Sequence, residues 1–230
     1  MKHVPLLVVL AIGGATSAAH AEVSSTITLT SDYDFRGLTQ TARDPAVQAS
    51  LDWASESGFY AGIFGSNVDF GDGTDTEIDL YAGFRGNLTE DLSFDVGALQ
   101  YTYHSGENDV DFVDVYAGLT YKAVNFKYWY AWDVSNTGIP GSYFEINSAL
   151  PLPNDISLNL HGGYSFGEYW TEKYFDYSIG VSKSIGNFAL SLKWVDGSDL
   201  QSAQGAPDKV FTSDAKAKWL QPKRLPWHPR

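Results

Sequence analysis

From Val23 onward this chain alternates in polarity with a period of two, and that alternation restricts it to β structure. In the first run Val23, Ile27, Leu29, Tyr33 and Phe35 share one parity, and Thr26, Thr28, Thr30, Asp32, Asp34 and Arg36 share the other. The pattern returns along the chain. Val47, Leu51 and Trp53 oppose Gln48, Ser50 and Asp52, while Ile78, Leu80 and Phe84 oppose Glu77, Asp79, Tyr81 and Arg85. Val113, Val115 and Leu119 oppose Asp114 and Tyr116, and Ile156, Leu158 and Leu160 oppose Asn159 and His161. Two runs are less regular. Phe59 to Phe70 carries aromatic residues on both faces, and Leu92 to His104 changes parity near Leu99, which predicts a bulge after Gly97. Counting a weak last run, Lys209 to Lys218, the chain holds about twelve strands of about ten residues, the length of a tilted membrane-crossing strand. No stretch has a helical period, and nothing marks a second domain.

The connections alternate too. Segments such as "RGLTQTARDP", "SGENDVD" and "SNTGIPGS" are long, whereas "KAV", "PND" and "IGN", which take the intervening places, are short. An all-β, antiparallel up-and-down transmembrane barrel sorts its loops in this way, its apolar face on lipid and its polar face on the lumen. The competing architecture is a periplasmic β-sandwich with a polar outer surface, which has no reason to sort loops by parity. The aromatic load, 14 Tyr, 13 Phe and 7 Trp, suits a lipid–water boundary. Tyr33, Phe35, Trp53, Tyr121, Trp132 and Trp194 are expected as girdle residues. At the N-terminus Lys2, the apolar run Val4 to Ile12 and Ala19-His20-Ala21 follow the grammar of a cleavable leader. The apolar run is too short to span a bilayer. The expected organisation is therefore a signal peptide over 1–21, a mature start at Glu22, a barrel over 22–218 and an atypical tail over 219–230. A net charge of −13 makes nucleic acid a poor partner, and the lack of cysteine excludes a disulfide scaffold.

Four segments carry a resemblance: "SDYDFRGLTQT" (Ser31 to Thr41), "PAVQ" (Pro45 to Gln48), "GFYAGIFGSNVDF" (Gly58 to Phe70) and "EIDLYAG" (Glu77 to Gly83). With them the chain resembles the bacterial TorF-like porin family, defined by the Gcw_chp domain. The likeness is specific over the first third and looser to about Val195. It implies a Gram-negative outer-membrane location and a pore, with no known substrate. Such barrels usually finish on a strand with a terminal aromatic residue. This chain instead ends in a segment with Pro222, Pro226 and Pro229, which cannot continue a paired strand. It reads either as a periplasmic tail or as a damaged final strand.

At lumenal parity stand ten acids, Asp32, Asp34, Asp52, Glu77, Asp79, Asp95, Asp114, Asp133, Glu145 and Asp176, against five bases, Arg36, Arg85, Lys122, Lys127 and Lys193. Rings of carboxylates favour cations. The candidate pore-lining and mouth residues are Asp32, Asp34, Arg36, Asp52, Asn67, Asp69, Glu77, Asp79 and Arg85. Of these, Arg36, Asn67, Asp69 and Glu77 are expected to converge at the outer mouth, with Gly37 allowing the bend. The competing reading is an Arg–Asp network that fixes register. "GDGTD" lacks the full spacing of a calcium loop. His104, His161 and His228 stand in no nucleophile motif, and no metal-ligand spacing occurs, so no catalytic residue, cofactor or metal is assigned. The expectation is a passive channel for small solutes or ions, preferring cations, in contact with outer-membrane lipid. The alternative is a non-conducting barrel that anchors the envelope or binds a partner.

Overall fold

The computed structural model describes residues 21–170, 172–198 and 209–219, with Ala21 and 209–219 as backbone. The strands in the first half are β1 (Ala21–Thr30), β2 (Asp34–Phe35), β3 (Leu38–Thr39), β4 (Ala46–Ser55), β5 (Phe59–Asn67), β6 (Thr76–Asn87) and β7 (Leu92–His104). The second half supplies β8 (Phe112–Tyr121), β9 (Val124–Ala131), β10 (Gly141–Leu152), β11 (Ile156–Gly167), β12 (Tyr174–Ile185), β13 (Phe188–Ser198) and β14 (Lys209–Trp219). All but β2 and β3 form one closed antiparallel barrel of twelve strands, in which β1 pairs with β4 on one side and β14 on the other. Closure leaves no strand edge unpaired, the condition for a sheet to cross a bilayer. The expected leader over 1–21 and tail over 219–230 lie, but for Ala21 and Trp219, outside the described residues.

Parity sorts the side chains as the alternation predicts. Val47, Leu80, Leu119 and Ile179 are exposed on the outer face, whereas Glu77, Asp79, Asp114 and Asp176 are buried within. A soluble barrel has the reverse arrangement; this one places its apolar face toward lipid. Trp53, Tyr121 and Trp132 are exposed near strand ends, and Trp194 leans on Tyr177 with ring centroids 5.7 Å apart. The connections are sorted by end. Those leaving β4, β6, β8, β10 and β12 are tight turns, and those leaving β1, β5, β7, β9 and β11 are longer.

Three expectations are corrected. The first run does not continue as one strand to Arg36. It stops at Thr30, and the following residues fold inward as the β2–β3 hairpin. Tyr33 and Phe35 therefore face the lumen, in ring contact with Phe64 and Tyr101, and are not girdle residues. No bulge follows Gly97: the β6–β7 register is unbroken from Thr76↔His104 to Asn87↔Ser93. Leu99, Tyr101 and Tyr103 point inward because the wall opposite the hairpin is aromatic, which mimics a parity switch. Finally, Asp133 and Lys122 sit in connections and not on the lumenal wall. Asp133 Oδ1 accepts the Gly138 amide at 2.6 Å, and Lys122 is mostly exposed beside Asp91.

The wall is thick where tyrosines lie flat across neighbouring strands. Gly97 stands directly opposite Tyr116, and a Cβ at Gly97 would come within 2.6 Å of the Ala82 carbonyl oxygen. Gly83 opposite Tyr60 repeats the device, so the inner face accommodates rings that a β-carbon would displace.

Candidate functional site

The hairpin that enters the lumen is built by local geometry. Asp34 pairs with Thr39 and Phe35 with Leu38, leaving Arg36 and Gly37 as a two-residue turn. Their φ angles, 53° and 81°, are both positive, as the tight hairpin turns of the primed class require. Asp32 fastens the base from within. Its Oδ1 accepts Thr39 Oγ1 at 2.5 Å and Thr41 Oγ1 at 3.3 Å, and the Gln40 amide donates to the Tyr33 carbonyl at 2.7 Å. The Asp69 amide donates to the Gln40 carbonyl at 2.8 Å, tying the hairpin to the β5–β6 loop.

Two ion pairs hold the hairpin across the lumen. Arg36 Nη2 lies 2.6 Å from Asp114 Oδ2 on β8, and Lys193 Nζ on β13 lies 2.9 Å from Asp34 Oδ2. Strands β8 and β13 are five steps apart in a ring of twelve, so these anchors are on nearly opposite walls. Apolar contacts fill the remainder: Phe35 meets Tyr101 edge-on at 5.6 Å, and Leu38 packs with Trp170 against the fully buried Tyr174. The Arg36 guanidinium lies over the rings of Tyr143 at 4.6 Å and Trp129 at 5.6 Å. A desolvated guanidinium with a carboxylate partner and aromatic faces has replaced the water it lost, which is the condition for a buried charge to persist.

Beside the hairpin a cavity of about 530 Å³ remains, reaching Asp79, Tyr81, Glu145, Asn147, His161 and Ser178. Two further cavities of about 340 Å³ continue from it, sharing Ser178 and lined by side chains such as Asn125, Asn159, Ser182 and Ser191. The hairpin end is aromatic and charged; the opposite end is lined mainly by neutral amides and hydroxyls. Not every carboxylate is matched by Lys or Arg. Lys127 pairs with Asp95 at 3.0 Å, but Glu145 accepts from Trp129 Nε1 at 2.7 Å and from Asn147 at 2.8 Å, with His161 Nδ1 3.8 Å away as its nearby base, and Asp79 Oδ1 has no hydrogen-bond partner among the described residues. His161 bridges Asp176 and Asn147, each 2.7 Å from a ring nitrogen. In the loop above, Asp72 accepts the Thr74 amide at 3.0 Å and Asn108 Nδ2 at 3.2 Å, and these hydrogen bonds, led by Thr74, hold its pKa below the ordinary aspartate value.

The structure separates the four residues expected at one mouth. Arg36 crosses to β8, and Glu77 is buried in the wall beside Tyr103. Asn67 is exposed and clamps β4, accepting the Val47 amide at 2.7 Å and donating to the Pro45 carbonyl at 3.2 Å. Asp69 is exposed and accepts the Gly71 amide at 2.9 Å. Asp34 and Asp79 do line the main cavity. Asp52 accepts hydrogen bonds from Tyr81 and Ser50, and Arg85 lies over the Tyr60 ring at 5.2 Å. Sequence reasoning missed Tyr101, Trp129 and Tyr143. The available signal was their parity: Trp129 shares its face with Asn125 and Lys127, and an aromatic residue at lumenal parity points to something packed inside.

A model of a bacterial family described as a protein of unknown function (Gcw_chp) matches residues 14–221. No curated protein matches the chain. Among solved structures, a KdgM porin superposes with a TM-score of 0.58 at 7% identity, covering 86% of this chain and 99% of its own. The COG4313 outer membrane channel from Pseudomonas putida F1 gives 0.56 at 10% identity, covering 88% and 96%. A NanC porin gives 0.53 at 10% identity, covering 85% and 97%. At such identities the likeness is one of fold.

Proposed function

The chain belongs to this Gcw_chp family, and from that premise we propose that it is an outer-membrane channel for passive diffusion of small solutes, preferring cations and constricted by the Asp34–Thr39 hairpin. The observation that carries the reading is the hairpin held between nearly opposite walls with about 530 Å³ of cavity left beside it. A segment arranged in this way narrows a lumen and leaves a path. The porin-like fold supports the location. The cation preference rests on Asp79 and Glu145, which face that cavity without Lys or Arg partners, the base nearest Glu145 being His161 at 3.8 Å. In a narrow lumen with low-dielectric walls a few fixed charges decide which ions enter. A KdgM porin is described in complex with oligogalacturonate, a polyanion; the carboxylates here disfavour solutes of that charge.

The test is reversal potential under a salt gradient in planar bilayers, with conductance recorded at the same time. Cation selectivity that falls in Asp79→Asn with Glu145→Gln is the expected result. Selectivity unchanged by both substitutions removes the electrostatic part of the reading. The same hairpin also favours a second reading, a non-conducting barrel closed by its own plug. Absence of conductance from folded protein selects it.

A further inference from the structure

We infer that Asp114, Trp129 and Tyr143 form a recognition site for guanidinium-type cations on the lumenal wall, and that its occupant here is the chain's own Arg36. The ligand chemistry is visible in that occupant: a carboxylate oxygen 2.6 Å from Nη2 and two aromatic faces 4.6 and 5.6 Å from the guanidinium carbon. Planar, weakly hydrated cations match such a cage better than a strongly hydrated sodium ion does.

The wall builds this site without the hairpin. Its residues stand on the adjacent strands β8, β9 and β10, with Trp129 paired directly to Tyr143 and also to Tyr116, two residues from Asp114. Each is held by a wall partner. Trp129 Nε1 donates to Glu145 at 2.7 Å, Tyr143 Oη donates to Asp176 at 3.1 Å, and Tyr101 Oη lies 3.4 Å from Asp114 Oδ2. The neighbouring base, Lys127, also lies over Trp129 at 5.2 Å but is paired with Asp95. With Arg36 seated the Asp114 side chain is only 2% exposed; with Arg36 withdrawn its carboxylate opens to the lumen without a counter-charge and draws another cation.

The consequence rests on the channel reading above. The hairpin tip is held by an interaction that a basic solute can replace like for like. A tether gives Arg36 an effective concentration on the order of millimolar or more, so guanidinium or arginine-like solutes at or above that level compete with it and release the constriction. The channel then admits basic organic solutes in preference to inorganic cations of the same charge.

The experiment uses full-length protein in detergent, with folding judged by heat-modifiable mobility. Guanidinium chloride and sodium chloride at matched ionic strength are titrated calorimetrically into Arg36→Ala, or into Arg36→Gln if the smaller side chain does not fold. Saturable binding of guanidinium at millimolar concentration, absent with sodium and absent from the Arg36→Ala/Asp114→Asn double variant, is expected. Identical titrations with the two salts, or saturation that persists in the double variant, overturn the site. In bilayers guanidinium at or above that level should raise wild-type conductance above that in sodium; equal conductance overturns the release step. Calorimetric binding to a barrel that never conducts supports the site and overturns the channel reading, and conductance without binding does the reverse.

Discussion

Leu80 and Asp79 are adjacent in sequence and face opposite media, so the pair tests the orientation of the barrel. Leu80 is 53% exposed on the outer face of β6, between Ile63 on β5 and Gln100 on β7. Were that face in water, Leu80→Arg would be a surface change within about 0.5 kcal/mol of neutral. On lipid, arginine near the bilayer midplane destabilises a barrel by about 2–4 kcal/mol. At 1.36 kcal/mol per decade that is roughly a 30- to 900-fold shift in the folding equilibrium. Asp79 is 4% exposed, with one carboxylate oxygen unpartnered and Glu77 two residues away on the same strand face. Asp79→Asn takes a buried carboxyl away from beside Glu77 and should leave folding unchanged or improve it. The assay is reversible urea unfolding in lipid vesicles, followed by tryptophan fluorescence and by electrophoretic mobility before and after heating. A Leu80→Arg variant within about 0.5 kcal/mol of wild type would falsify the lipid-facing assignment. So would equal losses from both substitutions.

Asp114→Asn strands the Arg36 guanidinium with its aromatic faces but no counter-charge, and denaturant unfolding should record a loss of about 3–5 kcal/mol; a loss below about 1 kcal/mol means the hairpin leaves the lumen freely. Lys193→Ala removes the partly exposed anchor to Asp34, so stability should change by less than about 1 kcal/mol while open-channel current noise rises; unchanged noise means that Arg36 alone fixes the hairpin. Gly97→Ala drives a methyl into the Ala82 carbonyl and the Tyr116 hydroxyl, and should lower the unfolding midpoint where Gly65→Ala, with only one neighbour at 3.6 Å, does not; equal midpoints refute the close-packed wall. The lowered pKa of Asp72 means that its loop contacts are fully present above the ordinary aspartate value of 3.8 and are lost as pH falls through its own lower value. Faster exchange of the Thr74 amide only in that acid window checks this, after correction for the intrinsic rate, and loss of protection near neutrality contradicts it.

The alternation by itself determined the strand number, the face each strand gives to lipid and the sorting of loops between the two ends. These are local properties. Side chains in a strand alternate with a period of two, and each face records the medium beside it. Leu80 beside Asp79 and Leu119 beside Thr120 are legible on that basis. The inward hairpin was not. Its residues keep the same alternation because a hairpin is itself a β pair, so "SDYDFRG" reads as an unbroken continuation of β1. The turn is marked only by Arg36-Gly37, and arginine is not a residue that announces positive φ. What makes the hairpin fold inward is non-local. Arg36 finds Asp114 78 positions away and Lys193 finds Asp34 159 positions away, contacts that no spacing along the chain encodes. Aromatic residues on both faces of β5 and β7 were the trace of this arrangement in the sequence. They resemble irregular strands until the hairpin is seen to give Phe64 and Tyr101 an apolar neighbour inside the barrel. Tertiary structure alone therefore decided which polar residues meet the lumen, because a charge that crosses to the opposite wall, like Arg36, and one that satisfies its own loop, like Asp69, follow the same local pattern.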